Sequence, residues 1–313
     1  MEFFIGHSLD YEIRWKASSG GIGSHIIRHL LESGEYGTSM TFIFNKDLCQ
    51  YEPKLIFNFS DYNNCGSIYQ DTDNIRFIKE NLDRIKNGIV VTCMPCQVNA
   101  IKTILQRNNI RFFFISLCCS GQTSVEGTWQ YYKMLGVKKE DVQDIQYRGD
   151  GWPSGIRIRL KDGSIIRRNN YTYPWTLIHR SLLYRPKRCL YCTIKTNPQS
   201  DISLADPWLK EYIGYDKIGN SIIISNNRGS DVLRKMISNK DIFIKKIDED
   251  TYIRSQLGTI AAKIQSGRCK RFNKIIVRMG AENSLYKKCI SLYPSLMEFH
   301  IRFINVLKKI MEK

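Results

Sequence analysis

The chain of 313 residues is 42% hydrophobic and 25% charged, which suits one large or two medium globular domains and excludes a disulfide-stapled miniprotein or a largely disordered chain. Lys and Arg outnumber Asp and Glu by 47 to 30, and the net charge of +17 attracts phosphates, acidic proteins or anionic lipid without speaking to fold. No stretch approaches the roughly 18 consecutive apolar residues of a membrane span, and MEFFIGHSLD lacks the basic-then-apolar order of a signal peptide, so a cytosolic setting is expected, with the ten cysteines as metal ligands, redox groups or small buried hydrophobes.

The first helical pattern follows Ser18-Ser19-Gly20-Gly21, with Ile22, Ile26, Ile27, Leu30 and Leu31 at helical spacing and Gly34 as the stop. TFIF at 41–44 and KLIFNF at 54–59 read as strands, and NIRFIKENLDRIK from Asn74 reads as a charged amphipathic helix. GIVVTC at 88–93 is a buried strand, CMPCQVNAIKTIL opens a helix, and RFFFISL at 111–117 is the next strand, running directly into Cys118 and Cys119. That β-α-β order sets candidate functional residues at strand ends. A helix over Val125–Leu135 precedes a β-rich stretch in which Asp162-Gly163 marks a hairpin and a polar loop holds Cys189 and Cys192. SIIISN at 221–226, a helix near Ser230–Ile237 and IFIKKI complete that stretch.

From Lys263 to Lys313 the chain reads as helical, with 12 Lys or Arg against 3 Glu, which is +9 of the +17. Leu296, Phe299, Phe303, Leu307 and Ile310 share one face of the last helix, to be packed on the body or docked on an anionic membrane or acidic partner. The expected architecture is mixed α/β: an N-terminal α/β part at 1–140, a β-rich part at 141–260 carrying the C-x-x-C loop, and a basic helical tail at 261–313.

Two C-x-x-C pairs, Cys93 with Cys96 and Cys189 with Cys192, are separated by 92 residues. Spacing permits a zinc or iron–sulfur tetrad, a thioredoxin-like dithiol at Cys93 and Cys96, or incidental cysteines. Cys49, Cys65, Cys269 and Cys289 read as ordinary small hydrophobes. Ser18–Gly21 at a helix start lets main-chain N–H groups approach a phosphate, although it matches neither G-x-G-x-x-G nor the phosphate-loop pattern, and Ser-Gly pairs also cap helices without a ligand.

Taken in order, SSGG, MPCQ, SLCCSG, YRGDGWPSG, CLYCTIKTN and DISLADPW resemble the beta subunit of coenzyme F420-reducing hydrogenases and dehydrogenases, from about Lys16 to about Asn226. The resemblance implies a compact flavin-binding β-α-β core and an FAD-dependent oxidoreductase that holds FAD beside a 4Fe-4S cluster. It would pass electrons to or from a small, hydride-accepting organic substrate, with a surface-polysaccharide precursor expected over the deazaflavin. The family's Thr-Pro-Cys-Gln falls on Met94–Gln97, its Cys-His-Gly on Cys119–Gly121, and its C-x-x-C on Cys189 and Cys192. The implied cluster ligands are therefore Cys96, Cys119, Cys189 and Cys192, with Cys93 and Cys118 as neighbours.

By the same resemblance Ser18, Ser19, Gly20 and Gly21 would hold the FAD pyrophosphate. Lys195, Asn197 and Asp201 are candidates around the flavin, Arg148 and Trp152 are candidates for substrate, and Asp206 reads as a cap or turn. Met94 and Ser120 stand where the commoner family pattern has Thr and His, and Ile194 stands where an acid is frequent. The ferredoxin-like cysteine run found ahead of this region in many members is absent, so the expected electron source is a separate acidic carrier such as ferredoxin or flavodoxin, steered by the basic surface. The rival expectation is a non-catalytic electron-transfer or zinc-stabilised scaffold subunit. Specific nucleic-acid binding is not expected, because the basic excess lacks a groove-reading or stacking module. Peripheral contact of the basic tail with the inner membrane face is a further expectation.

Overall fold

A computed structural model describes residues 1–63, 66–169, 171–212, 219–264, 267–281 and 284–312. β1 (Glu2–Ser8) leads through α1 (Tyr11–Lys16) to α2 (Ile22–Glu32), with Ser33 and Gly34 just beyond its end. β2 (Thr38–Asn45) and β3 (Gln50–Ile56) pair as a hairpin; α3 (Asn74–Glu80) follows, and β4 (Ile89–Cys93), α4 (Val98–Arg107) and β5 (Phe112–Leu117) supply the expected β-α-β unit. After α5 (Val125–Met134) come β6 (Val142–Gln146), β7 (Gly155–Leu160), β8 (Ile165–Asn169), α6 (Trp175–Ser181) and α7 (Lys187–Tyr191). β9 (Ile202–Ala205), β10 (Ser221–Ser225), α8 (Asn227–Ser238) and β11 (Ile242–Lys246) precede the last helices: α9 (Glu249–Ser255), α10 (Leu257–Ala262), α11 (Gly267–Ile276), α12 (Ser284–Ile290) and α13 (Pro294–Glu312).

Eight strands form one sheet in the order β11-β1-β10-β9-β5-β4-β2-β3. Four consecutive strands, β9, β5, β4 and β2, run parallel, and the others pair antiparallel. The alternation of strand side chains divides the core. Val90, Phe113 and Ile115 pack with Ile26 and Leu30 of α2 and Leu233 of α8, whereas Ile89, Val91 and Phe114 pack with Ile78 of α3 and Ile101 of α4. The run EFFIGHS carries no strand reading in the sequence, yet β1 lies between β10 and β11. The large sheet thus takes strands from 2–117 and from 202–246 alike.

β6, β7 and β8 form a separate sheet, closed by the expected Asp162-Gly163 turn with Gly163 at φ 87. It packs with α5, α6 and α13 through Tyr131, Ile145, Trp175 and Met297. The expected face of the last helix is corrected here. Met297, His300, Ile301 and Ile304 are buried, while Leu296, Phe299, Phe303 and Ile310 are exposed and only Leu307 is half-buried. His300 fixes that orientation: its Nε2 meets Ser181 O at 3.0 Å and its Nδ1 meets the Tyr286 hydroxyl at 2.9 Å.

Candidate functional site

Three neighbouring parallel strands end on one side of the large sheet, and functional residues follow each: Cys96 after β4, Cys119 after β5 and Asp206 after β9. Ligand sites in open α/β sheets lie outside these carboxyl ends. Cys96 sits in a turn closed by Gln97, whose N–H donates to Met94 O at 2.9 Å and whose Oε1 accepts from Met94 N at 3.0 Å. Cys119 N–H donates to Lys195 O at 3.0 Å, which ties the β5 loop to the segment just beyond Cys192. Asn197 closes the third side, its Nδ2 donating to Pro95 O and Asn99 Oδ1, each at 3.0 Å.

The four thiols share one electrostatic neighbourhood. Burial raises the Cys96 thiol pKa, and the nearby Cys192 and Cys189 thiols raise it further, against the opposing charge of Arg188. Burial also raises Cys119, with Lys263 opposing and Cys189 and Cys96 adding to the rise. Arg185 joins the group: burial lowers its pKa against the influence of Cys189 and Cys119. Gly121, at φ 137, lies so close that a Cβ there would stand 2.9 Å from the Arg185 guanidinium carbon.

Cys93 and Cys118 face elsewhere. Cys93 is packed in the apolar core with Met40, Val91 and Val98, and burial raises its thiol. Cys118 lies against Tyr252 beside Ile222, and burial pushes it up to about 12. A thioredoxin-like dithiol needs a lowered thiol pKa at its helix start, and both Cys93 and Cys96 are shifted the other way. Cys65 lies outside the described residues.

The Ser18–Gly21 turn stands between α1 and α2. Gly20 is held tightly: its N–H donates to Ser221 Oγ at 3.0 Å, its carbonyl accepts from Ser8 N at 2.7 Å, and a Cβ would meet Gly6 O at 2.6 Å and Ser221 N at 2.7 Å. Ser19 Oγ pairs with Ser221 Oγ at 3.1 Å, and Ser67 Oγ donates to Ser18 Oγ at 2.8 Å. Gly21, at φ 76, precedes α2 with no side chain capping the helix. The buried Arg148 bridges outward from this turn, donating to Ser18 O at 2.6 Å and pairing with Asp206. Burial opposes its charge, but Asp206 together with Tyr69 and Tyr171 outweighs that and raises its pKa.

A chain of rings starts beside the turn and includes His179, whose neighbour Arg185 also lies by Cys119 and Cys189. Gly219 leaves room for Trp152 beside Ser19, and Trp152 to Trp208, Trp208 to Tyr171, Tyr171 to His179 and His179 to Tyr69 follow at centroid distances of 5.7, 6.2, 6.2 and 5.7 Å. Trp175 lies 5.5 Å from His179. Burial, aided by the Arg185 charge, pushes the His179 imidazole down to about 4, so it is neutral at pH 7. Among the described residues Trp152 Nε1, Trp175 Nε1, His179 Nε2 and Arg148 Nε are buried and find no hydrogen-bond partner. Each such atom costs about 1–3 kcal/mol, and a planar ligand with a polar edge would offset that.

Of the polar candidates, Lys195 and Asn197 border the cysteines. Asp201 is committed elsewhere: it takes paired hydrogen bonds from Arg228 at 2.7 Å each, one from Phe114 N at 2.7 Å and one from Asn226 at 3.2 Å. It precedes β9, whereas Asp206, read from sequence as a cap or turn, follows it and meets Arg148. His179, Tyr69, Tyr171, Trp175, Trp208, Arg185 and Lys263 were not singled out from sequence; the density of basic residues in RPKRC ahead of Cys189 is the one local signal for any of them.

Among the described residues no group of three or more Cys, His, Asp or Glu is placed to hold a single metal ion. A cubane cluster makes a different demand, because each thiolate binds its own iron and the sulfurs stand farther apart than around one ion. An all-thiol donor set drawn from three segments, free of disulfides, fits such a group. No helix among the described residues is long and apolar enough to cross a membrane.

No curated protein sequence matches the chain. A chain in the structure titled for the F420-reducing NiFe hydrogenase complex from Methanosarcina barkeri is 17% identical, with a TM-score of 0.63 over 88% of this chain and 91% of that one, a likeness of fold. Residues 86–250 match the family described as the carboxy-terminal region of the coenzyme F420 hydrogenase/dehydrogenase beta subunit. With more than half of its length so matched, the chain belongs to the coenzyme F420 hydrogenase/dehydrogenase beta subunit family.

Proposed function

We propose that the chain is an FAD-dependent iron–sulfur oxidoreductase whose Cys96, Cys119, Cys189 and Cys192 ligate a 4Fe-4S cluster. The observation that carries this reading is the meeting of those thiols, from three chain segments, beside Arg185, Arg188 and Lys263. When bound, the cluster and the flavin supply single-electron relay and hydride exchange respectively.

The chain's own residues bind, orient and exclude water. Arg185, Arg188 and Lys263 offset the negative charge that four thiolates bring into a partly buried site. Asn197 and the Lys195 carbonyl hold two cysteine-bearing loops in register. The ring row from Trp152 to Tyr69 offers flat apolar faces to a planar group and shuts out water, while Arg148 Nε, Trp152 Nε1 and His179 Nε2 supply hydrogen bonds at its edge. The first turn of α2, uncapped by any side chain, offers main-chain N–H groups to a pyrophosphate. The acceptor is a small organic molecule that takes hydride, with a surface-polysaccharide precursor as the favoured class, and electrons arrive from an acidic carrier protein attracted by the +17 charge.

Anaerobic purification followed by visible spectroscopy, flavin extraction and metal analysis tests this. The expected result is FAD with about four irons per chain. Colourless, zinc-loaded protein would overturn it in favour of a scaffold subunit, and iron without flavin would reduce it to an electron-transfer subunit.

A further inference from the structure

The exposed side chains of α13 have a regularity that packing on the body does not use. Leu296, Phe299, Phe303, Val306 and Ile310 recur at alternating intervals of three and four, forming one stripe along a helix of 19 residues, about 28 Å long. All five are exposed, Phe299 at 68% and Ile310 at 66%. The helix is nonetheless anchored, since Met297, His300, Ile301 and Ile304 are buried behind it. The stripe is therefore held outward as a preformed face. Apolar patches of this extent mark interaction sites.

We propose that this face docks on an anionic phospholipid surface, with α13 lying in the plane of the headgroups. Charge selects the occupant. Arg302 and Lys309 border the stripe on its solvent side, each three residues beyond a stripe position. α11, which packs against α13, exposes Arg268, Lys270, Arg271 and Lys274 and carries no acid. A second copy of the chain could use the same spacing in a coiled coil, but pairing would set one basic tail against another, each +9 over residues 263–313 even with the exposed Glu298 counted. Insertion across the bilayer is not open to this helix, which is too polar. An apolar face with Phe and Leu, flanked by Lys and Arg, suits the boundary between headgroups and acyl chains. The inference does not depend on either cofactor.

The test is co-sedimentation of the full-length protein with vesicles of phosphatidylcholine alone or with about one-third phosphatidylglycerol. Binding is expected to the anionic vesicles only and to weaken as salt rises from about 0.1 M to about 0.5 M. Phe299→Glu/Phe303→Glu is expected to lower it at least about tenfold, with the circular dichroism spectrum and melting temperature retained. Val306→Ser/Ile310→Ser serves if the first variant misfolds, and Arg271→Glu/Lys274→Glu is expected to remove part of the salt-sensitive binding. Failure to bind anionic vesicles, equal binding to both compositions, or unchanged binding by the folded stripe variants would overturn the proposal. So would a dimer in solution that the stripe variants dissolve, which would assign the face to a second copy, or retained binding to an acidic protein alone.

Discussion

The cysteine site and the Ser18–Gly21 turn are put together in opposite ways. The turn is closed by its own neighbours: Gly20 gives its N–H to Ser221 and its carbonyl to Ser8, and the hydroxyls of Ser18 and Ser19 pair with Ser67 and Ser221. At the cysteine site the backbone and Asn197 hold the loops, the Cys192 thiol reaches the Ile194 carbonyl at 3.8 Å, and the thiols of Cys96, Cys119, Cys189 and Cys192, none in a disulfide, lie next to cations. Capacity for a ligand persists where folding does not consume it. At the cysteines that capacity is the thiols themselves; at the turn it passes to the start of α2 and to the orphaned atoms of the ring row.

The largest expected effect lies at the cysteines. Cys119→Ser is expected to lose most of the iron measured after anaerobic purification, whereas Cys118→Ser, whose thiol lies against Tyr252 in an apolar cluster, is expected to keep most of it. Equal loss from both would put the ligand register one residue out.

Gly20→Val probes the turn. A Cβ would press on two backbone atoms, Gly6 O and Ser221 N, so a loss of about 3 kcal/mol is expected in urea denaturation, with iron per folded chain unchanged. A stable variant would break the claim that the turn is closed by close packing.

Asp201→Ala leaves the half-exposed Arg228 and the Phe114 N–H without their carboxylate, at a cost of about 2–3 kcal/mol, and is expected to spare flavin content. Flavin loss at unchanged stability would return Asp201 to the cofactor site.

The smallest effect is a pH slope in the cofactor-free protein. Above pH 6.5 the His179 imidazole is neutral whether the chain is folded or not; below it the unfolded chain takes up a proton that the folded one resists until about pH 4. Stability therefore falls as pH drops through that window. His25 and His300, also lowered by burial, slope the same way, so the readout is the difference between the wild type and His179→Phe in urea midpoints from pH 7 to pH 4.5. Identical slopes would place His179 in a wetter setting than the ring row.

Much of the central sheet was legible because β4 and β5 are short, mostly apolar runs that lead into cysteines. β1 escaped because EFFIGHS gains its strand character only from pairing between β10 and β11. The ring row was illegible for a related reason. Tyr69, Trp152, Tyr171, His179 and Trp208 come from separate loops and helices, and no spacing joins them.

The amino-acid sequence by itself determined the local elements, the C-x-x-C spacing and the family resemblance, since side-chain period, turn residues and motif order act over a few positions. Only the tertiary structure decided which thiols face one another, that Asp206 and not Asp201 meets Arg148, and which of two apolar faces of α13 turns inward. Those outcomes depend on packing between distant segments: Asn197 against Pro95, Arg185 against Gly121, and His300 against Ser181.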